Sequence, residues 1–124
     1  MKFYVCEHCG NIVTKLTSAG VPLVCFGEEM KLLEAGVTDA AVEKHVPAVT
    51  VDGNLVKVSV GSVTRPMTEA PYIPWVALET ETSARVEWRQ PGQAPEVVFA
   101  LADGQKAKAV YAWCNLHGLW KADL

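Results

Sequence analysis

Hydrophobic positions alternate with polar ones through most of the chain, with period two and not the 3.6 of a helix. Val49 and Val51 alternate ahead of Asp52-Gly53, a tight-hairpin signal, and Val56, Val58 and Val60 alternate after it. Arg85, Glu87 and Arg89 alternate against Val86 and Trp88. Glu96–Leu101 reads as a strand after the Pro91-Gly92 turn. Asp103-Gly104 then turns into Lys106–Trp113, where Ala107, Ala109, Tyr111 and Trp113 share a face. Tyr72–Thr80 reads as another strand. Pro74 has no N–H to give a ladder, which places that segment at a sheet edge or a bulge. Thr38–Lys44 fits one helical turn with Thr38 as N-cap. About six strands, with turn signals roughly every 8–12 residues, predict a β-sandwich.

The first 36 residues follow a different pattern. Phe3–Val5 is a short strand running into Cys6-Glu7-His8-Cys9-Gly10. Asn11–Thr14 leaves that turn, and Val21–Cys25 returns after Ser18-Ala19-Gly20. A Cys-x-x-Cys-Gly knuckle aims two thiolates at one ion, and the glycine permits the positive φ that closes it. Cys25 supplies a third sulfur. A module of about 35 residues cannot stabilise itself by apolar burial alone, so a metal is physically motivated. We expect residues 1–36 to form a ligand-stapled module and residues 37–124 the sandwich.

Composition narrows the function classes. The chain has 124 residues, 50% apolar and 20% charged, enough to build a core. Its net charge is −3 with no basic stripe, which argues against nucleic acid. The longest stretches free of charged residues are 12 residues, Leu16–Gly27 and Ala109–Trp120. A membrane span needs about 20. The five residues before Cys6 form no apolar signal core. The expectation is a soluble, cytoplasmic protein without a membrane partner. Three of the four cysteines lie in the first 25 residues. That clustering points to metal or redox chemistry more than to a secreted disulfide framework. Reduced buried thiols and a Cys6–Cys9 disulfide remain open. With His8, His45 and His117, the soft-ligand inventory is seven side chains.

Two segments carry a family likeness: Glu43-Lys44-His45-Val46-Pro47 and Cys114-Asn115-Leu116-His117-Gly118-Leu119-Trp120. Val60-Gly61-Ser62-Val63, Pro66-Met67 and Tyr72-Ile73-x-Trp75 follow in the matching order. Over its whole length the chain resembles desulfoferrodoxin, the two-domain form of superoxide reductase. The resemblance implies a mainly β protein: a rubredoxin-like, desulforedoxin-type N-terminal module plus an immunoglobulin-like β-sandwich. It implies a non-haem iron enzyme that reduces superoxide to hydrogen peroxide with electrons from a donor protein, and it implies homodimers. The family's reactive iron has four equatorial imidazoles and an axial cysteinate, which favours peroxide release. By resemblance, His45 and His117 are equatorial ligands and Cys114 is the axial one. Lys44 attracts the superoxide anion and helps protonate the product, and Glu43 is available to the ferric resting state. Cys6, Cys9 and Cys25 hold iron or zinc in the N-terminal module.

The sequence departs from the family at both centres. The other two family histidines fall on Arg65 and Pro71. The chain has three histidines in total, so one subunit cannot supply four imidazoles. Arg65 adds a permanent cation where a metal would sit nearby. Its guanidinium is expected to fold into that pocket and pair with Glu43 or Cys114. Glu69 is a candidate substitute ligand, since two histidines plus a carboxylate form a known Fe(II) set. In the N-terminal module the second of the family's adjacent cysteines is Phe26. His8, a candidate fourth ligand, is expected to point outward, and water or a second chain are alternatives. Two classes of function follow: a superoxide reductase with a modified iron site, or a family scaffold without the reactive centre, keeping zinc or thiol chemistry at its N-terminal cysteines. Trp75, Trp88, Trp113 and Trp120 are expected as core and site-wall aromatics.

Overall fold

The computed structural model describes residues 1–37, 45–61 and 72–124. The expected helical turn at Thr38–Lys44 lies outside them, as do Glu43, Lys44, Arg65, Glu69 and Pro71. Two compact units divide at Glu34/Ala35.

The first unit, Met1–Glu34, carries five short strands: β1 (Phe3–Val5), β2 (Ile12–Thr14), β3 (Val24–Cys25), β4 (Glu28–Glu29) and β5 (Lys31–Leu32). β1 lies between β2 and β5, and β3 pairs with β4 as a minimal hairpin. The return expected over Val21–Cys25 is regular only at its last two residues. Leu23 bonds instead through its carbonyl to the N–H of Met30 at 2.7 Å. Only Phe3 and Cys6 in this unit are buried apolar side chains. So small a core leaves the unit dependent on its cysteine ligands.

The second unit, Ala35–Leu124, is the β-sandwich. Its strands are β6 (Ala48–Asp52), β7 (Leu55–Ser59), β8 (Trp75–Thr80), β9 (Ala84–Trp88), β10 (Glu96–Ala100), β11 (Ala107–Cys114) and β12 (Gly118–Asp123). One sheet runs β10-β7-β6 and the other β12-β11-β8-β9, all antiparallel. Asp52 pairs with Leu55, so Gly53-Asn54 is a two-residue hairpin, with Gly53 at φ 58°. Val56, Val58 and Val60 face Val97, Phe99 and Leu101 within one sheet. Val76, Leu78, Val110, Ala112 and Cys114 cover them from the other.

Two local expectations are corrected, and one strand is additional. β8 is an interior strand between β11 and β9. Pro74 sits one residue before it, where no ladder donor is needed, and its carbonyl accepts the N–H of Arg89 at 2.7 Å. In β11 the shared face is not Ala107 through Trp113. The register with β8 shifts between Ala107 and Ala109, so Ala107 joins Val110, Ala112 and Cys114 toward the core. β12 was not evident in the hydrophobic pattern, because a Leu-Trp-Lys-Ala run does not alternate.

On β9 every residue but Arg85 is exposed, the apolar ones included. Val86 and Trp88 are open to solvent, Trp88 at 71%. Arg85 and Arg89 instead donate to the Ala100 and Glu96 carbonyls of β10, the edge strand of the opposite sheet. Two arginines thus close one side of the sandwich by occupying backbone acceptors that would otherwise form an open edge. Trp75 and Trp113, register partners across β8 and β11, stack at 6.4 Å.

Candidate metal centres

In the sandwich, the β11–β12 hairpin builds most of the site. Cys114 pairs with Gly118 across a three-residue loop, Asn115-Leu116-His117, and Gly118 takes φ 89° to close it. This folds His117 back over Cys114, so that the Cys114 Sγ and His117 Nδ1 atoms lie 3.5 Å apart. Asn115 fixes the loop. Its side-chain oxygen accepts the Tyr72 N–H at 2.8 Å, and its own N–H donates to the Tyr72 carbonyl at 3.2 Å. Sequence reasoning missed this role, for which the only signal was an amide side chain in the loop.

His45 arrives from 72 residues away. Its Nε2 lies 3.0 Å from His117 Nδ1, and its ring stacks on Trp120 at 4.8 Å and 19°. Trp120 is itself fixed, donating from Nε1 to the His117 carbonyl at 3.1 Å. Gly36 bridges to Trp120 in parallel. Its N–H donates to the Leu119 carbonyl at 2.9 Å, and its carbonyl accepts the Lys121 N–H at 2.8 Å. A Cβ at Gly36 would lie 2.7 Å from the Trp120 ring. Glycine is therefore required there for space. Nothing in the sequence signals it.

The donor atoms of His45, Cys114 and His117 all lie within 4.8 Å of one another. With metal–nitrogen bonds of about 2.1 Å, two nitrogens at right angles on one ion sit roughly 3 Å apart, as these two do. Cys114 is buried, His45 half-buried and His117 exposed. The three side chains fit one metal ion with open positions. They do not fit a centre of four imidazoles, for which the chain lacks the histidines.

In the first unit the Cys6–Gly10 knuckle closes with the Gly10 N–H donating to the Cys6 carbonyl at 2.8 Å and Gly10 at φ 81°. Cys6, Cys9 and Cys25 bring their sulfurs within 4.8 Å of one another, Cys9 and Cys25 to 3.7 Å. A tetrahedral ion with metal–sulfur bonds of about 2.3 Å has edges of roughly 3.8 Å, so the three fit three corners. All four cysteines are free thiols. The Cys6 thiol is held down to about 7, chiefly by the backbone N–H of Cys9. Cys25 is pushed up to about 12, first by its hydrogen bonds with Cys6 and then Cys9, and by their charge. Crowded thiols of this kind ionise together only around a cation. Phe26, the residue after Cys25, has φ 54° and is 72% exposed. His8 points to Glu28, Nε2 to Oε2 at 2.9 Å.

Fold and clusters together define a two-module β protein with a trithiolate cluster in one module and a two-histidine, one-cysteine cluster in the other. The desulfoferrodoxin family model matches residues 37–123, and the model of the desulfoferrodoxin N-terminal domain matches residues 1–33. The chain belongs to the desulfoferrodoxin family. It is 46% identical over 124 residues to desulfoferrodoxin of Nitratidesulfovibrio vulgaris, covering 98% of this chain and 95% of that one. Among solved structures it is similar to the superoxide reductase from Treponema pallidum, with TM-score 0.82 and 35% identity over 98% of this chain and 97% of that one. A superoxide reductase from Giardia intestinalis matches with TM-score 0.57 and 32% identity, over 66% of this chain and 97% of that one. Among the described residues no helix is long and apolar enough to cross a membrane.

Proposed function

We propose that the chain is a superoxide-reductase-type non-haem iron protein with a reduced ligand set. The observation that carries this reading is the convergence of His45, Cys114 and His117 on one point from distant parts of a family scaffold. Iron, when bound, supplies one electron; superoxide takes it with two protons and leaves as hydrogen peroxide, and a donor protein restores the electron. His45 and His117 hold the ion, and Trp120 keeps the His45 ring in place. Cys114, buried in the sandwich, supplies a thiolate whose charge favours product release. Lys44 draws the anion in and helps protonate it, and Glu43 is available to the ferric resting state. Iron or zinc occupies Cys6, Cys9 and Cys25. Domains of residues 1–36 and 37–124, a cytoplasmic location and a homodimer complete the proposal.

A second reading is favoured by Arg65 and Pro71 standing where the family places its other two imidazoles. In it the sandwich is a non-catalytic scaffold, Arg65 fills the metal pocket, and only the N-terminal cysteines bind metal. One experiment separates the two. Untagged protein is purified without oxygen, iron and zinc are counted per chain, and superoxide consumption is followed. About one iron that persists in a Cys6→Ser/Cys9→Ser variant, with superoxide consumed, supports the reductase. Zinc or no metal, lost entirely in that variant, supports the scaffold.

A further inference from the structure

We propose that the trithiolate centre of the N-terminal module keeps its fourth position for an external ligand, a small thiol. The inference does not rest on the sandwich centre. Among the described residues, which include the whole of this unit, the only ligand atoms gathered at the site are the sulfurs of Cys6, Cys9 and Cys25. Their spacing fits three corners of a tetrahedral ion, which would leave one. The side chain following Cys25 is a phenyl ring, without a donor atom. Its backbone is left-handed and its ring stands in solvent. His8, the nearest nitrogen donor in sequence, is drawn away by Glu28.

The residues next to the cluster bear on its fourth ligand. Cys9 is exposed and Cys25 half-exposed, so the centre is reached from solvent. Phe26 adjoins Cys25 and His8 lies between Cys6 and Cys9 in the chain, and their rings are 6.1 Å apart. Glu28, the register partner of Cys25, and its neighbour Glu29 are exposed carboxylates, and their charge near the cluster disfavours hard anions such as phosphate. A metal selected by three thiolates is one that takes a fourth thiolate well. The thiol arrives neutral. Its sulfur bonds to the metal, a bound water leaves, and the thiol proton passes to solvent. Nothing is oxidised or reduced.

The test uses the full chain, loaded with cobalt(II) without oxygen and titrated with 2-mercaptoethanol. A Cys9→Ser variant treated identically is subtracted, which removes any signal from cobalt at His45, Cys114 and His117. The expected difference spectrum shows a saturable rise in thiolate-to-cobalt charge-transfer intensity of roughly a third, four thiolates against three. A Phe26→Cys variant should show the higher intensity without added thiol and should not respond to it. No Cys9-dependent band, a band indifferent to thiol, or a band that disappears as thiol strips the metal would overturn the proposal. None of these outcomes bears on the sandwich centre.

Discussion

Replacing Gly36 by alanine tests whether the sandwich centre depends on a wall of fixed shape. The backbone of Gly36 is held on both sides, by the Leu119 carbonyl and the Lys121 N–H, so it cannot retreat. The new methyl would meet Trp120 Cε3 and Cζ3 at 2.7 Å, where carbon atoms prefer about 3.5–4.0 Å. The indole must therefore move by roughly 1 Å. It is tied to the His117 carbonyl through Nε1 and stacked on His45, so any such shift loosens one or both. Overpacking of this kind costs about 1–3 kcal/mol, and a stretched hydrogen bond adds up to ~1.5 kcal/mol. We expect the sandwich to lose about 2 kcal/mol, which lowers its Tm by roughly 10 °C. All four tryptophans lie in this unit, so their fluorescence during urea unfolding reports it alone. Metal affinity at His45 and His117 should fall with it. In a Trp120→Leu background the same glycine change should cost less than about 0.5 kcal/mol, because its steric partner is gone. Full stability in G36A, with the Trp120 indole N–H resonance unmoved, would refute the reasoning.

Other expectations follow from the same structure. Arg85→Ala and Arg89→Ala each remove a donor to β10 and should cost about 1–2 kcal/mol in urea unfolding; no change would mean that the β10 edge needs no cover. A strong chelator should abolish amide-exchange protection in Met1–Glu34 while the sandwich strands keep theirs, since Phe3 and Cys6 are all the apolar core the first unit has. Tyr111 has its pKa pushed up to about 12 from 10.0, first by burial and then by the charge of Glu79, which accepts its hydroxyl at 3.1 Å. Because the folded value is raised, the stabilisation is complete below pH 10.0 and is lost as pH rises through about 12. Tyr111→Phe should therefore be the less stable protein at pH 8, with the gap closing over that window.

Much of the fold can be read from local pattern. The valines of β7 alternate because one face of the strand meets the core, and Gly53 marks its hairpin through a backbone angle that other residues resist. β9 misleads because Arg85, and Arg89 just past the strand, reach backbone acceptors of β10 while Trp88 stays outside, so polarity and burial part company. β11 misleads because one bulge moves its faces out of step. The knuckle is legible because its two sulfurs are three residues apart. The sandwich centre is different. His45 and the β11–β12 loop are unrelated by any local rule, and only the resemblance links them. The fit of Gly36 against Trp120 leaves no trace in composition, since what matters is the side chain that is missing.

The distance along the chain between donors has a consequence for the order in which the two clusters can form during synthesis. Cys6, Cys9 and Cys25 are all made within the first 25 residues, and closing so short a loop costs little entropy. The first cluster can capture an ion while the sandwich is still being translated. The second joins His45 to Cys114 and His117, so it cannot exist until β11 and the turn into β12 have left the ribosome and paired. The donors of the two clusters therefore come together at different stages of synthesis, the first from a short nascent segment and the second only when nearly the whole chain has emerged.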